Sequence, residues 1–205
     1  MKLLAKVCGL TNREDAQLAL ALGADFLGFV HHLPSPRHCS DLATASQGHA
    51  GKGVLVMVGE DPELMIAQAR AAGLAWIQPH AGEARAEVAR ALQTAGFRVL
   101  LPWPDEPDQP HIPADLYLWE PSPAVTGVLG GSGQGHGALH PPPGPFLLAG
   151  GLDGTNLQAR LGSLPLDTKR FLRGVDAASR LEATPGRKDP LKVADFLENA
   201  HALHL

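Results

Sequence analysis

Short runs of β-type apolar residues alternate along this chain with alanine-rich stretches of helical character. The first run, Lys2–Cys8, predicts a strand. Thr11, with Glu14 three residues on, has the form of a capping box. The helix it would open covers Asn12–Leu22 and stops at Gly23. Apolar runs return at Asp25–Val30 and at Gly53–Val58, the latter followed by a predicted helix over Pro62–Ala72 with Gly73 behind it. A fourth run, Leu74–Gln78, leads to a helix over Glu83–Thr94 and a stop at Gly96. Phe97–Leu101, Leu116–Trp119, Phe146–Ala149 and Arg170–Val175 complete the strand set, and Leu191–Ala202 predicts a final helix.

Runs that are apolar on both faces, each followed by a helix, argue for a parallel sheet covered on both sides. Eight of them in one α/β chain predict a closed (β/α)8 TIM barrel, read as a single domain over residues 1–205. The alternative, an open doubly wound sheet, lacks its GxGxxG turn after the first strand. The chain's 205 residues are few for a barrel, where about 250 is typical. The helices around 102–113 and 121–145 are therefore expected to be short or missing, and both stretches are rich in Pro and Gly.

Composition narrows the function classes. Two cysteines exclude a disulfide scaffold, and a net charge of −4 carries no electrostatic footprint for nucleic acid. No apolar run reaches the ~18–20 residues of a membrane span. The opening MKLLAKVCGLTNRED turns polar too soon for a secretory signal. The expectation is a cytoplasmic protein with reduced cysteines and with neither membrane nor nucleic acid as partner, a monomer or homodimer.

In a barrel of this kind the chemistry sits in the loops at the C-terminal ends of the strands. Those positions hold Cys8-Gly9, Ser35-Pro36-Arg37, Gln78-Pro79-His80, Glu120, the sixth loop Gly130-Gly131-Ser132-Gly133, Ala149-Gly150-Gly151-Leu152 and Gly174-Val175-Asp176. The last two precede the loops that form the recurrent phosphate site of barrels. Gly150 and Gly151 would let backbone N–H groups approach an anion, or would simply make a tight turn. Ser179 would start a short helix facing the same anion, with Arg180 beside it. A phosphorylated small molecule is the expected ligand.

Cys8 is a candidate nucleophile or general base, against the plainer role of a small buried apolar residue. Glu120 follows Trp119, and an apolar neighbour would favour its protonated, acid form. Arg37 suits a carboxylate or phosphate. His31, His32, His38 and Cys39 lack the spacing of a zinc site, so no metal is expected. His111, His136 and His140 show no readable pattern.

These residues closely resemble the phosphoribosylanthranilate isomerase family. The likeness runs through Lys6-Val7-Cys8-Gly9-Leu10-Thr11, Glu14-Asp15-Ala16, Gly23-Ala24-Asp25, Leu27-Gly28-Phe29-Val30, Ser35-Pro36-Arg37 and Gln78-Pro79-His80. It continues through Leu148-Ala149-Gly150-Gly151-Leu152 to Gly174-Val175-Asp176, Glu182 and Pro185-Gly186-Arg187-Lys188-Asp189, covering essentially the whole chain. The resemblance implies an Amadori rearrangement in tryptophan biosynthesis that needs no cofactor and no metal. It implies Cys8 as general base, Glu120 as general acid and Arg37 near the anthranilate. It further implies His80 and Asp176 as substrate-binding residues, and Gly150, Gly151 and Ser179 in the phosphate loops, where Arg180 could add a charge-assisted contact.

The chain departs from the family pattern at four places. Glu120 stands for aspartate and Pro79 for leucine. The sixth loop lacks the usual Thr and aromatic-Asp run, and Ala178-Ser179-Arg180 replaces Ser-Ser-Gly. The altered Ser-Ser-Gly and the aspartate-to-Glu120 change motivate one rival function, a non-catalytic phosphate-binding barrel; a different phosphosugar isomerase or epimerase on the same scaffold is the second.

Overall fold

The structure, a computed structural model, describes residues 2–120 and 139–203. Eight parallel strands close into a barrel in chain order: β1 (Leu4–Cys8), β2 (Phe26–Val30), β3 (Gly53–Val58), β4 (Trp76–His80), β5 (Arg98–Trp103), β6 (Leu116–Trp119), β7 (Phe146–Leu148) and β8 (Leu172–Ala177). The helices are α1 (Arg13–Ala21), α2 (Leu42–Ala45), α3 (Pro62–Ala71), α4 (Arg85–Thr94), α5 (Leu157–Gly162), α6 (Leu166–Lys169) and α7 (Pro190–Ala202). All eight predicted strands are present. No helix occurs over 104–115 or 139–145, where proline is frequent. Residues 121–138, which include the predicted Gly130–Gly133 loop and His136, lie outside the described residues.

Helix starts follow local chemistry. Asp61 accepts from the N–H groups of Glu63 and Leu64, with Pro62 in the first turn of α3. Asp189 does the same for Leu191 and Lys192 ahead of α7. At α1 the cap is Asn12 and not Thr11: Asn12 Oδ1 accepts from Asp15 N at 2.8 Å. The Thr11 hydroxyl is spent elsewhere, donating to the Gly186 carbonyl at 2.6 Å.

β3 and β6 match their predicted bounds; the other six strands differ by one or two residues at one end or both. β8 begins at Leu172, not at Arg170, because Arg170 caps α6. β4 begins at Trp76 because Leu74 still bonds back to Ala69 as the chain leaves α3. Pairing with β3 continues to Val58, which makes His80 the last residue of β4.

Strand residues alternate between two cores. Outward positions such as Phe29, Ile77, Trp119 and Phe146 pack with helix residues such as Ala16, Met65, Leu92 and Phe196. Inward positions such as Val54, Val56, Trp76, Leu100, Leu118 and Leu147 fill the barrel, and Cys8 belongs to this inner cluster. The interior is not wholly apolar: Lys6, Gln78 and Asp176 are buried within the strands. Each costs several kcal/mol to desolvate if left unpaired. Their partners define the site.

Candidate active site

Lys6 and Cys8 are two apart on β1, so both side chains take the inward face. Parallel pairing with β8 sets Lys6 directly beside Asp176. Lys6 Nζ lies 3.0 Å from Asp176 Oδ1, with the lysine side chain fully buried. On the other flank, Cys8 is in register with Gly28 of β2. A Cβ on Gly28 would stand 2.6 Å from Cys8 Sγ and 3.1 Å from Lys6 Nζ, so glycine clears the space both groups occupy. Gly28→Ala should therefore push the thiol aside. Turnover should fall roughly tenfold with the melting temperature little changed, a fraction of what a full 1 Å misplacement can cost. Equal kcat in the alanine variant would show that the thiol's position is unimportant.

Burial pushes the Cys8 thiol up, and the Asp176 carboxylate adds to that; Lys6 and Lys188 pull the other way without cancelling it. For Lys6, burial works against the charge, but Asp176 and Cys8 outweigh it and the ammonium is held above its ordinary range. A cation thus stands beside the thiol at neutral pH.

β4 repeats the alternation with Gln78 and His80. The Gln78 amide Nε2 and His80 Nε2 are 2.9 Å apart. With the amide N–H donating, the imidazole carries its proton on Nδ1. Although His80 keeps an exposed edge at the rim, burial of the rest of the ring and then Lys6 push it below the ordinary imidazole range. Beyond it, a cleft of about 290 Å³ is lined by Pro79, His80, Arg85, Pro102 and Trp103. A roomier groove, about 600 Å³, opens at the other end of the barrel beside Leu3, Leu161 and Leu172, away from these groups.

Arg37 reaches the same mouth from the loop after β2. Its stem lies over Gly9, where a Cβ would come within 2.7 Å of Arg37 Cδ; Gly9 also holds a left-handed φ of +76°. Glu182 grips the guanidinium with both oxygens, from Nε at 2.7 Å and Nη2 at 2.8 Å. Lys188 Nζ donates to Glu182 Oε1 at 3.2 Å. Lys6, Glu182 and Lys188 were not singled out as site residues from sequence. The available signal for Lys6 was its place two residues before Cys8.

Glu120 follows the last residue of β6 and is exposed. The expected burial beside Trp119 does not occur: neighbouring strand residues face opposite sides. Trp119 is fully buried in the outer core, edge-on to Phe146 with ring centroids 5.3 Å apart. The Glu120 stem instead leans on the turn after β7, where a Cβ on Gly150 would lie 2.9 Å from Glu120 Cγ.

That turn needs glycine twice, with φ of +97° at Gly150 and +61° at Gly151. Ser179 begins a single 3-10 turn, Ser179–Leu181. Among the described residues, the backbone N–H groups of Gly150, Gly151, Ser179 and Arg180 meet no protein acceptor. Arg180 crosses above Gly151 to pair with Asp153, Nη1 to Oδ2 at 2.7 Å, with 55% of its side chain exposed. Burial acts to raise the Asp153 carboxyl, but Thr155 and Arg180 together hold it below the usual range. Every predicted site residue thus lies at a C-terminal strand end or in the loop that follows it: Cys8 and Asp176 beside the Lys6 ammonium, His80 at the end of β4, Arg37 over Gly9, Glu120 against the Gly150–Gly151 turn, and Ser179 and Arg180 just beyond β8. His31 and His38 stand apart, their rings 5.1 Å from each other.

The sequence profile of the N-(5'-phosphoribosyl)anthranilate isomerase family matches residues 5–199. The chain is 35% identical to the N-(5'-phosphoribosyl)anthranilate isomerase of Azorhizobium caulinodans, covering 98% of this chain and 93% of that one. Against the enzyme of the same name from Maridesulfovibrio salexigens it is 35% identical over 95% of this chain and 96% of the relative. Among solved structures, a phosphoribosyl anthranilate isomerase in complex with reduced 1-(o-carboxyphenylamino)-1-deoxyribulose 5-phosphate superposes with a TM-score of 0.74 at 27% identity, covering 98% of this chain and all of that one. The enzyme from Thermus thermophilus gives 0.73 at 27% identity, with the same coverage.

Proposed function

The chain belongs to the N-(5'-phosphoribosyl)anthranilate isomerase family, and we propose that its barrel mouth works with Cys8 as general base and Glu120 as general acid. It is an isomerase of tryptophan biosynthesis, converting N-(5-phosphoribosyl)anthranilate to 1-(2-carboxyphenylamino)-1-deoxyribulose 5-phosphate. The observation that carries the assignment of roles is the Cys8 thiol at the end of β1, kept clear by Gly28 and flanked by the Lys6 ammonium.

The reaction asks for a proton at one atom and a base at another. Glu120 gives a proton to the furanose ring oxygen as the C1–O bond breaks, leaving a Schiff base between C1 and the anthranilate nitrogen. The Cys8 thiolate takes the proton from C2 of the protonated Schiff base to give an enolamine; as this ketonises, the Cys8 thiol returns a proton to C1 and the C2 hydroxyl proton restores Glu120. Atoms balance with no oxidant and no leaving group. Lys6 stabilises the thiolate while it exists; Asp176 keeps Lys6 charged and faces the sugar; neutral His80 offers Nδ1–H to a substrate oxygen. Arg37 meets the anthranilate carboxylate, where a planar fork matches a planar acceptor. A turnover assay with phosphoribosylanthranilate, followed by loss of anthranilate fluorescence, tests the reading. No turnover would leave the phosphate-binding barrel as the better description.

The substrate phosphate, on this reading, is held by the N–H groups of Gly150, Gly151 and Ser179, with Arg180 swinging from Asp153 onto it. Binding far from the reacting carbons supplies orienting energy. Arg180→Ala should raise KM by about tenfold and leave kcat within a few-fold, one charge-assisted hydrogen bond being worth ~1.5–3 kcal/mol. An unchanged KM would mean that Arg180 stays on Asp153. Among the described residues no helix is long and apolar enough to cross a membrane. We read the chain as a single barrel domain of the cytoplasm, a monomer or homodimer. The Thermotoga maritima enzyme, similar in fold at a TM-score of 0.73, is described as dimeric.

A further inference from the structure

Downstream of β8 the chain forms a small antiparallel hairpin, β9 (Glu182–Thr184) with β10 (Arg187–Lys188), that is not part of the barrel. It is fastened on several sides. Asp15 Oδ2 of α1 accepts from Lys188 N at 2.9 Å, and Thr11 donates to the carbonyl at the hairpin tip, Gly186. Lys192 Nζ donates to the Glu182 carbonyl at 2.8 Å. The tip also rests on the loop that carries Arg37: a Cβ on Gly186 would stand 3.1 Å from the Pro36 carbonyl oxygen.

We propose that this hairpin is the positioning device for Arg37, with Glu182 setting the plane of its guanidinium and Lys188 restoring the positive charge that Glu182 removes. The proposal rests on reading Arg37 as the group that meets the aromatic carboxylate. An unheld arginine would lose its rotamer freedom on binding. Glu182 removes that cost beforehand by accepting from Nε and Nη2. The guanidinium has five N–H donors, so its far edge stays open for a second planar acceptor. A carboxylate paired this closely would leave Arg37 electrically neutral and of little use to an anion. Lys188 answers that: its ammonium is fully buried, bonded to Glu182 Oε1 at 3.2 Å and to the Ala178 carbonyl at 3.0 Å. One carboxylate between two cations leaves one net positive charge, the complement of a single substrate carboxylate.

The test compares two ligands: the reduced product analogue with its ring carboxylate, and the same molecule with a plain phenyl ring. Dissociation constants are measured for the wild type, Arg37→Met, Glu182→Gln and Lys188→Met, with Lys188→Arg as the rescue. Arg37→Met should abolish the preference for the carboxylated ligand. Glu182→Gln and Lys188→Met should each reduce that preference by about tenfold or more while changing the plain-phenyl affinity less than twofold, and Lys188→Arg should recover much of it. If Arg37→Met loses the preference and the two hairpin variants keep it, the positioning role is wrong and the reading of Arg37 stands. Equal weakening of both ligands in the hairpin variants reveals a merely structural role and also overturns the proposal. A preference that survives Arg37→Met overturns the reading of Arg37, and the hairpin proposal falls with it.

Discussion

Replacing Cys8 by serine should lower kcat by about 10²–10⁴-fold, with the far-UV circular dichroism spectrum and melting temperature nearly unchanged. The hydroxyl fits the space that Gly28 leaves, but its pKa lies far above neutrality and it cannot act as a base there. Alanine should lose as much, since it also leaves no base. Burial sets two effects against each other. It pushes the thiol up, so little thiolate exists at rest. The same burial makes the thiolate, once formed, a stronger base toward a carbon acid such as C2–H. The Lys6 ammonium, held charged by Asp176, limits the first cost without removing the second gain. A serine variant that turns over near the wild-type rate would show that another group takes the C2 proton.

The barrel was legible because its signals are local. Glycine stops and runs apolar on both faces sit within a few residues of the elements they specify, and all eight strands follow them. The mouth was legible for the same reason, as strand ends can be read without knowing strand partners. What sequence reasoning missed depends on partners far along the chain. Lys6 meets Asp176 only because β1 closes the barrel against β8, 170 residues away. Arg37 meets Glu182 across 145 residues, by way of a hairpin no apolar run announces. The α1 cap moved from Thr11 to Asn12 because a distant carbonyl, that of Gly186, claims the threonine hydroxyl. The placement of Trp119 is different. Period-two alternation already sets Trp119 and Glu120 on opposite faces, so its failure to shield the carboxylate could have been read from the strand itself.

Glu120→Gln should reduce kcat by about 10²-fold or more, because the amide keeps the shape and can still hydrogen-bond but has no proton to give the ring oxygen. In the free protein Glu120 is exposed, its stem against Gly150. A bound anionic phosphate on the same Gly150–Gly151 turn would disfavour a second negative charge beside it and so favour the acid form in the complex. Loss of the acid should therefore appear in kcat more than in KM. Glu120→Asp returns the residue usual in the family, but on a turn fitted to the longer stem; partial activity is expected and not improvement. Wild-type turnover in the glutamine variant, or a product-analogue complex with Glu120 turned away from the sugar, would remove Glu120 from the mechanism.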